Sequence, residues 1–243
     1  MNRRVWALLS LWALACAPDA PGAGGAQALD SGGVRAGAQA ASQEPAEAPQ
    51  GPRVVFLGTS LTAGLGLLGP EEAWPARVAV LADSAGLPLE AVNAGVSGDT
   101  SAGGLRRLDW ILREPLDALV VELGANDGLR GQDPEATAEN LRQIIRGVQE
   151  RYPRARVLLC AMEAPPNMGE DYTRSFRAVF ADVAEETGAV FVPFLLDGVA
   201  GVSELNQGDG IHPTPEGHRR MAANVWPSLE PFVRAWWAER AGP

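Results

Sequence analysis

From Arg53 onward, short apolar runs rich in Val and Leu alternate with longer stretches in which apolar residues recur every three or four positions. The runs are Val54 to Leu57, Leu89 to Val92, Ala118 to Leu123, Val157 to Ala161 and Ala189 to Val192. Each stops in small or polar residues, which reads as five strands. Between them, Glu72 to Ser84, Thr100 to Arg113, Pro134 to Tyr152, Tyr172 to Thr187 and Glu216 to Trp237 have the helical period. Asp133-Pro134 supplies a cap followed by a first-turn proline. Strands alternating with helices predict an α/β fold: three α/β/α layers around a five-stranded parallel sheet in the flavodoxin-like order 2-1-3-4-5. Ligands of such sheets bind beyond the strand C-termini. The chemistry is therefore expected in the loops after Leu57, Val92, Leu123 and Ala161 and in the long stretch after Val192. No internal repeat is visible.

The first fifty residues break this rhythm. Met1 to Ala15 has the form of a signal peptide: Arg3 and Arg4 start it, Val5 to Leu14 are mostly apolar, and small residues lead into Cys16. Ten apolar residues are too few for a helix crossing about 30 Å of hydrocarbon. Ala13-Leu14-Ala15-Cys16 fits ordinary cleavage after Ala15 and also resembles the bacterial lipobox, although the usual Leu three residues before the Cys is Ala13 here. The lipobox is the preferred reading, because a Cys directly at the cleavage point is rare by chance. Lipidation at Cys16 is then expected. Residues 16–52, rich in Ala, Gly, Pro, Gln, Ser and Glu with almost no large apolar side chain, read as a disordered tether that cannot offset its ordering entropy. The resemblance to lipoproteins, with Ala17 where inner-membrane retention uses Asp, implies an outer-membrane anchor facing the periplasm. Plain cleavage would instead leave a soluble periplasmic or secreted protein. The folded domain is expected over 53–243.

Composition narrows the chemistry. The 243 residues include 20 basic side chains, all Arg, against 30 acidic ones and two His, for a net charge of −10. A chain with no lysine has no Schiff base, no Walker-type GK[ST] and no Ser-Lys dyad. Scattered arginines on an acidic chain provide no basic stripe, so no nucleic-acid partner is expected. Imidazole chemistry falls to His212 or His218.

The loops hold candidates for every role in acyl transfer. After the first strand comes Gly58-Thr59-Ser60-Leu61-Thr62-Ala63-Gly64, and after the second Asn93-Ala94-Gly95-Val96-Ser97-Gly98-Asp99-Thr100. After the third comes Glu122-Leu123-Gly124-Ala125-Asn126-Asp127-Gly128, and near the end Asp209-Gly210-Ile211-His212-Pro213. A serine needs an imidazole to take its proton, and the imidazole needs a carboxylate to fix its tautomer. Ser60, His212 and Asp209 fit those roles, Gly210 allowing the bend and Pro213 stiffening the exit. The Ser60 amide, the Gly95 amide and the Asn126 side chain are the expected oxyanion donors.

At these positions the sequence resembles the GDSL, or SGNH, hydrolase family, whose four blocks appear in order as Ser60, Gly95, Asn126 and His212. Leu61 to Gly64, Ser97 to Thr100, Asn126 to Gly131 and Pro165-Pro166-Asn167 are similar to the esterase/thioesterase I, lysophospholipase and arylesterase branch. The resemblance implies hydrolysis of small acyl esters or thioesters without a cofactor. It also implies that Asp127, Leu129, Arg130, Pro165, Pro166 and Asn167 line the acyl groove. Thr59 stands where the family name has Asp, and its hydroxyl can still serve local backbone amides. Thr62 occupies the second Gly position of the G-x-S-x-G elbow, so the turn is not that of α/β-hydrolases.

Other features have plainer readings. His218 is expected to be an exposed helix residue; no metal site is expected, because six residues separate it from His212. Gly64-x-Gly66-x-x-Gly69 is expected to be a mobile flap, since it does not open a helix directly after the strand. Cys160 reads as a buried strand thiol. Trp236 and Trp237 read as the packing side of the last helix. A monomeric serine esterase is the leading functional expectation. Its rivals are a carbohydrate O-acetylesterase of the same fold and a tethered binding protein impaired by the altered serine turn.

Overall fold

The computed structural model describes residues 51–241. The expected signal peptide, Cys16 and the tether up to residue 50 lie outside the described residues. In chain order the strands are β1 (Arg53–Gly58), β2 (Glu90–Gly95), β3 (Ala118–Glu122), β4 (Arg156–Cys160) and β5 (Val190–Val192). They pair in parallel in the order β2-β1-β3-β4-β5, as the alternation predicts. The helices are α1 (Ser60–Ala63), α2 (Trp74–Ser84), α3 (Ser101–Arg106), α4 (Leu108–Ile111), α5 (Ala125–Leu129), α6 (Pro134–Arg151), α7 (Glu170–Thr187) and α8 (Pro215–Ala241).

Helices cover both faces of the sheet. α2 packs against α8, while α6 packs between α3 and α7. The buried positions of α6 (Leu141, Ile144, Ile145, Val148) and of α7 (Phe176, Val179, Phe180, Val183) follow the three-and-four spacing that defines an inward stripe. Val54 to Leu57, Ala118 to Val121 and Leu158 to Cys160 are almost completely buried between these layers. Trp74 meets Phe56 edge-on at 4.9 Å, tying α2 to β1. Trp236 and Trp237 pack as expected and use their indole N–H groups, donating to Asp117 Oδ1 and to the Pro88 carbonyl, both at 2.9 Å. Cys160 is buried, and burial pushes its thiol pKa up. Among the described residues no helix is long and apolar enough to cross a membrane.

Four local differences separate the structure from the sequence pattern. The expected helix from Thr100 to Arg113 breaks at Arg107, whose φ of −101° and ψ of 4° leave the helical region. Gly103 and Gly104 weaken the first half by roughly 1 kcal/mol each relative to Ala. The Arg107 guanidinium is recruited elsewhere. β2 runs three residues past the apolar pattern to Gly95, because Asn93, Ala94 and Gly95 stay paired with Phe56, Leu57 and Gly58. Two short helices at strand C-termini, α1 and α5, carry too few apolar residues to show a period. His218 is 1 % exposed, not a surface residue, and its Nδ1 accepts the Trp74 N–H at 3.2 Å. Burial is the main reason its pKa falls to about 4.

Candidate active site

Ser60 opens α1 directly after β1, with Thr59 as the residue that caps it; Thr59 Oγ1 accepts the Leu61 N–H at 3.3 Å. Thr59 thus serves a local amide as its chemistry suggested. The loop after β5 returns from the far side of the sheet edge. It brings His212 Nε2 to 3.0 Å from Ser60 Oγ, across 152 residues of sequence. His212 Nδ1 lies 2.6 Å from Asp209 Oδ2. The same carboxylate receives the Ile211 and His212 N–H groups on Oδ1 at 2.9 and 3.0 Å. Hydrogen bonds from the His212 side chain and then from the two amides hold the Asp209 pKa well below the ordinary carboxylate range. A charged Asp209 fixes the tautomer with the proton on Nδ1, which leaves Nε2 free to accept from the serine.

Ser60 and His212 face a cavity of about 540 Å³. Its walls include Leu129, Met162, Pro165, Pro166, Phe194 and Ile211, so the hollow is mostly apolar, with Thr59, Asn126, Glu163 and Asn206 among the polar residues that line it beside the serine and the imidazole. A larger hollow of about 750 Å³ lies at the other end of the sheet around Asp117, Arg156 and Trp236. Among its lining residues Ser228 is the only hydroxyl, and there is no imidazole to activate it, so chemistry and not size selects the site.

The expected groove residues divide. Leu129, Pro165 and Pro166 stand on the cavity wall, whereas Asn167 is exposed and away from it. Arg130 is also exposed and off the wall, donating to the Gly98 carbonyl at 3.1 Å. Asp127 is fully buried and accepts from Ser101 N at 2.9 Å and Ser101 Oγ at 2.5 Å. It binds α5 to α3 and holds the neighbouring Asn126 in place. A buried carboxylate fixed by a facing helix cannot line a groove.

The oxyanion donors divide too. The Ser60 N–H has no protein acceptor among the described residues, and the Asn126 side chain reaches the cavity while donating one proton to the Asp99 carbonyl at 2.8 Å. The Gly95 N–H is already taken by Asn93 Oδ1 at 3.0 Å. Glycine is needed there for close packing, since a Cβ would collide with the Ala63 backbone nitrogen. Three residues on, the Gly98 N–H has no protein acceptor among the described residues. Its carbonyl neighbour at Asp99 is the group that Asn126 holds.

The site's scaffold contains residues that the sequence pattern did not single out. Arg107 donates to Asp99 Oδ2 at 2.7 Å, to the Ala94 carbonyl at 2.7 Å and to the Gly58 carbonyl at 2.9 Å, stapling the ends of β1 and β2 to the loop before α3. Gln207 bridges the Leu65 and Pro213 carbonyls at 2.8 and 2.9 Å, which ties the expected flap to the loop of His212. Glu122, at the end of β3, is fully buried against the serine turn. One signal for it existed: a carboxylate closing the otherwise apolar run Ala-Leu-Val-Val.

The model of the GDSL-like Lipase/Acylhydrolase family matches residues 56–220, which run from within β1 into α8 and contain Ser60, Asn126, Asp209 and His212. The chain belongs to that family. It is 42 % identical over 181 residues to the esterase TesA of Pseudomonas aeruginosa, covering 74 % of this chain and 89 % of that protein. It is 36 % identical to thioesterase 1/protease 1/lysophospholipase L1 of Escherichia coli K12, over 78 % of this chain and 83 % of the relative. The crystal structure of the psychrotrophic esterase EstA from Pseudoalteromonas sp., inhibited by monoethylphosphonate, superposes with a TM-score of 0.70 at 32 % identity. That match covers 75 % of this chain and 99 % of EstA. The protein is therefore a carboxylic ester hydrolase of the GDSL/SGNH type with the expected fold.

Proposed function

We propose that this GDSL/SGNH hydrolase cleaves small acyl esters or thioesters through an acyl-enzyme on Ser60. The observation that carries the reading is the unbroken chain from Ser60 Oγ through His212 to Asp209, opening on an apolar cavity. His212 Nε2 takes the hydroxyl proton as Ser60 attacks the acyl carbonyl, and Asp209 stabilises the imidazolium that forms. The tetrahedral oxyanion is met by the Ser60 amide, the free proton of the Asn126 amide and the Gly98 amide, which replaces Gly95 because the Gly95 proton is spent on Asn93. His212 returns its proton to the leaving oxygen or sulfur, and water then repeats the cycle on the acyl-enzyme. An apolar wall of Leu129, Pro165, Pro166 and Ile211 suits the acyl chain. The names of the relatives, esterase and thioesterase/lysophospholipase, support this substrate class.

The test is Ser60→Ala. Turnover of a short aryl ester should fall by roughly 10⁶-fold with folding intact, and a fluorophosphonate should label wild type alone. Equal hydrolysis by the two proteins would end the assignment. Export and lipidation at Cys16 complete the proposal, and intact-mass analysis of the mature N-terminus from membrane fractions tests them.

A further inference from the structure

Glu122 is a charged-capable group beside the nucleophile that the Ser-His-Asp chain leaves unused. It is fully buried and accepts three hydrogen bonds from one turn: Thr59 N at 2.8 Å, Thr59 Oγ1 at 3.0 Å and Thr62 Oγ1 at 2.7 Å. Those donors bracket Ser60, one just before it and one two residues after. Room for the contact is made at Gly58, where a Cβ would collide with both Thr62 Oγ1 and Glu122 Oε2. We propose that Glu122 is a positioning residue for Ser60, its carboxylate acting through Thr59 and Thr62 to hold the serine turn in line with His212.

A carboxylate suits this task better than a neutral acceptor. Hydrogen bonds to an ionised acceptor are about twice as strong as neutral ones, and all three partners donate. A proton on Glu122 would add a fourth donor to a cluster already made of donors. No cation shares the load: among the described residues Glu122 makes no ion pair, and the titratable group that feels it from the neighbouring strand is the Cys160 thiol on β4. Arg107 reaches the adjacent Gly58 carbonyl but not the carboxylate. Desolvation outweighs the three hydrogen bonds and pushes the Glu122 pKa from 4.5 up to about 7. The turn is therefore held tightly only as the pH rises through neutrality. Thr59, in place of the Asp of the family name, makes this possible without setting a second carboxylate against the first.

This inference rests on Ser60 being the nucleophile, so the experiment has two layers. Hydrolysis of a soluble aryl ester is followed from about pH 5 to about pH 9 in wild type and Glu122→Gln, and the Thr59 backbone amide resonance is followed over the same range. The expected result is a wild-type Thr59 amide that titrates near pH 7 and a Glu122→Gln amide that does not. With it, kcat should fall on the order of 10²-fold at unchanged KM. The acid limb of kcat, steeper than one ionisation in wild type, should relax to the single ionisation of the general base. Wild-type kcat and slope in Glu122→Gln would overturn the inference while leaving the esterase reading intact. A wild type that hydrolyses no ester would remove the esterase reading and this inference with it. If Glu122→Gln fails to fold, Thr62→Val, which deletes one donor, decides: a fall in kcat at constant KM supports the role, and unchanged kcat rejects it.

Discussion

Two carboxylates stand behind Ser60, Asp209 through His212 and Glu122 through the serine turn, and the protein holds them in opposite ways. Asp209 sits three residues from its imidazole on a half-exposed loop, and its partners are His212 and two amides of the same turn. Glu122 is sealed at the end of β3, and its partners come from a turn about 60 residues earlier. Hydrogen bonds from the His212 ring and then from the His212 and Ile211 amides favour charge on Asp209, whereas burial disfavours it on Glu122, so one pKa falls and the other rises to about 7. The exposed acid keeps its charge by contact, and the buried one keeps it only through donors that secondary structure delivers. In the proposed mechanism the first serves the proton transfer and the second fixes the geometry in which it occurs.

The contrast can be broken first on the exposed side. Asp209→Asn keeps the size of the side chain but loses the charge that fixes the His212 tautomer, so kcat for the aryl ester should fall by about 10⁴-fold with the unfolding midpoint nearly unchanged. A variant within tenfold of wild type would mean that the imidazole is oriented by something else. Asn126→Ala removes a donor aimed at the oxyanion and should lower kcat by about 10² to 10³-fold, leaving KM little changed. Gly95 offers the control: its amide is committed to Asn93, so Asn93→Ala, which frees that amide, should leave kcat no higher than wild type, and a clear rise in kcat would return Gly95 to the oxyanion hole.

The smallest effect concerns stability and sharpens the buried side. Because the folded-state pKa of Glu122 is raised, its contribution is complete below 4.5 and is lost as pH climbs to about 7. At roughly 1.4 kcal/mol per pH unit, that span is worth about 3 kcal/mol. His218 runs the other way. Its pKa is lowered from 6.5 to about 4, so its contribution is present above 6.5 and is lost as pH falls toward 4. The two groups oppose each other through the mildly acidic range. Urea midpoints of Glu122→Gln should therefore gain on wild type as pH rises from about 4.5 to 7, and those of His218→Gln should gain on it as pH falls from about 6.5 to 4. Parallel shifts at every pH would show that neither group is titrating where its surroundings place it.

Much of this was legible before any coordinates. The alternation of apolar runs with helical periods predicts five strands in a parallel sheet, because each run is long enough only for a strand and each period long enough to cross back over the sheet; the order 2-1-3-4-5 is the expected one among those this rhythm allows. Ser60, Asn126, Asp209 and His212 were legible because catalytic residue types in loops after strands have few structural reasons to be there together. Asp209 and His212 even declare their contact, since three residues of one turn bring them together without help from the fold.

The remainder required the tertiary structure, for a physical reason that repeats. Whether a glycine amide is free or spent depends on a side chain two residues away choosing it, as Asn93 chooses Gly95. Whether an acid lines a groove or braces a helix depends on what packs opposite, as Ser101 does for Asp127. Arg107 looks like a helix residue until its guanidinium is seen gathering Gly58 of β1, Ala94 of β2 and Asp99 of the loop before α3. His218 looks like a surface residue until α8 lies against α2 and its imidazole accepts the Trp74 amide. Sequence determined which chemistry the chain carries and at which edge of the sheet it gathers. Only the fold decided which polar groups remain free to use it, because burial and hydrogen-bond partners are properties of residues far apart in the chain.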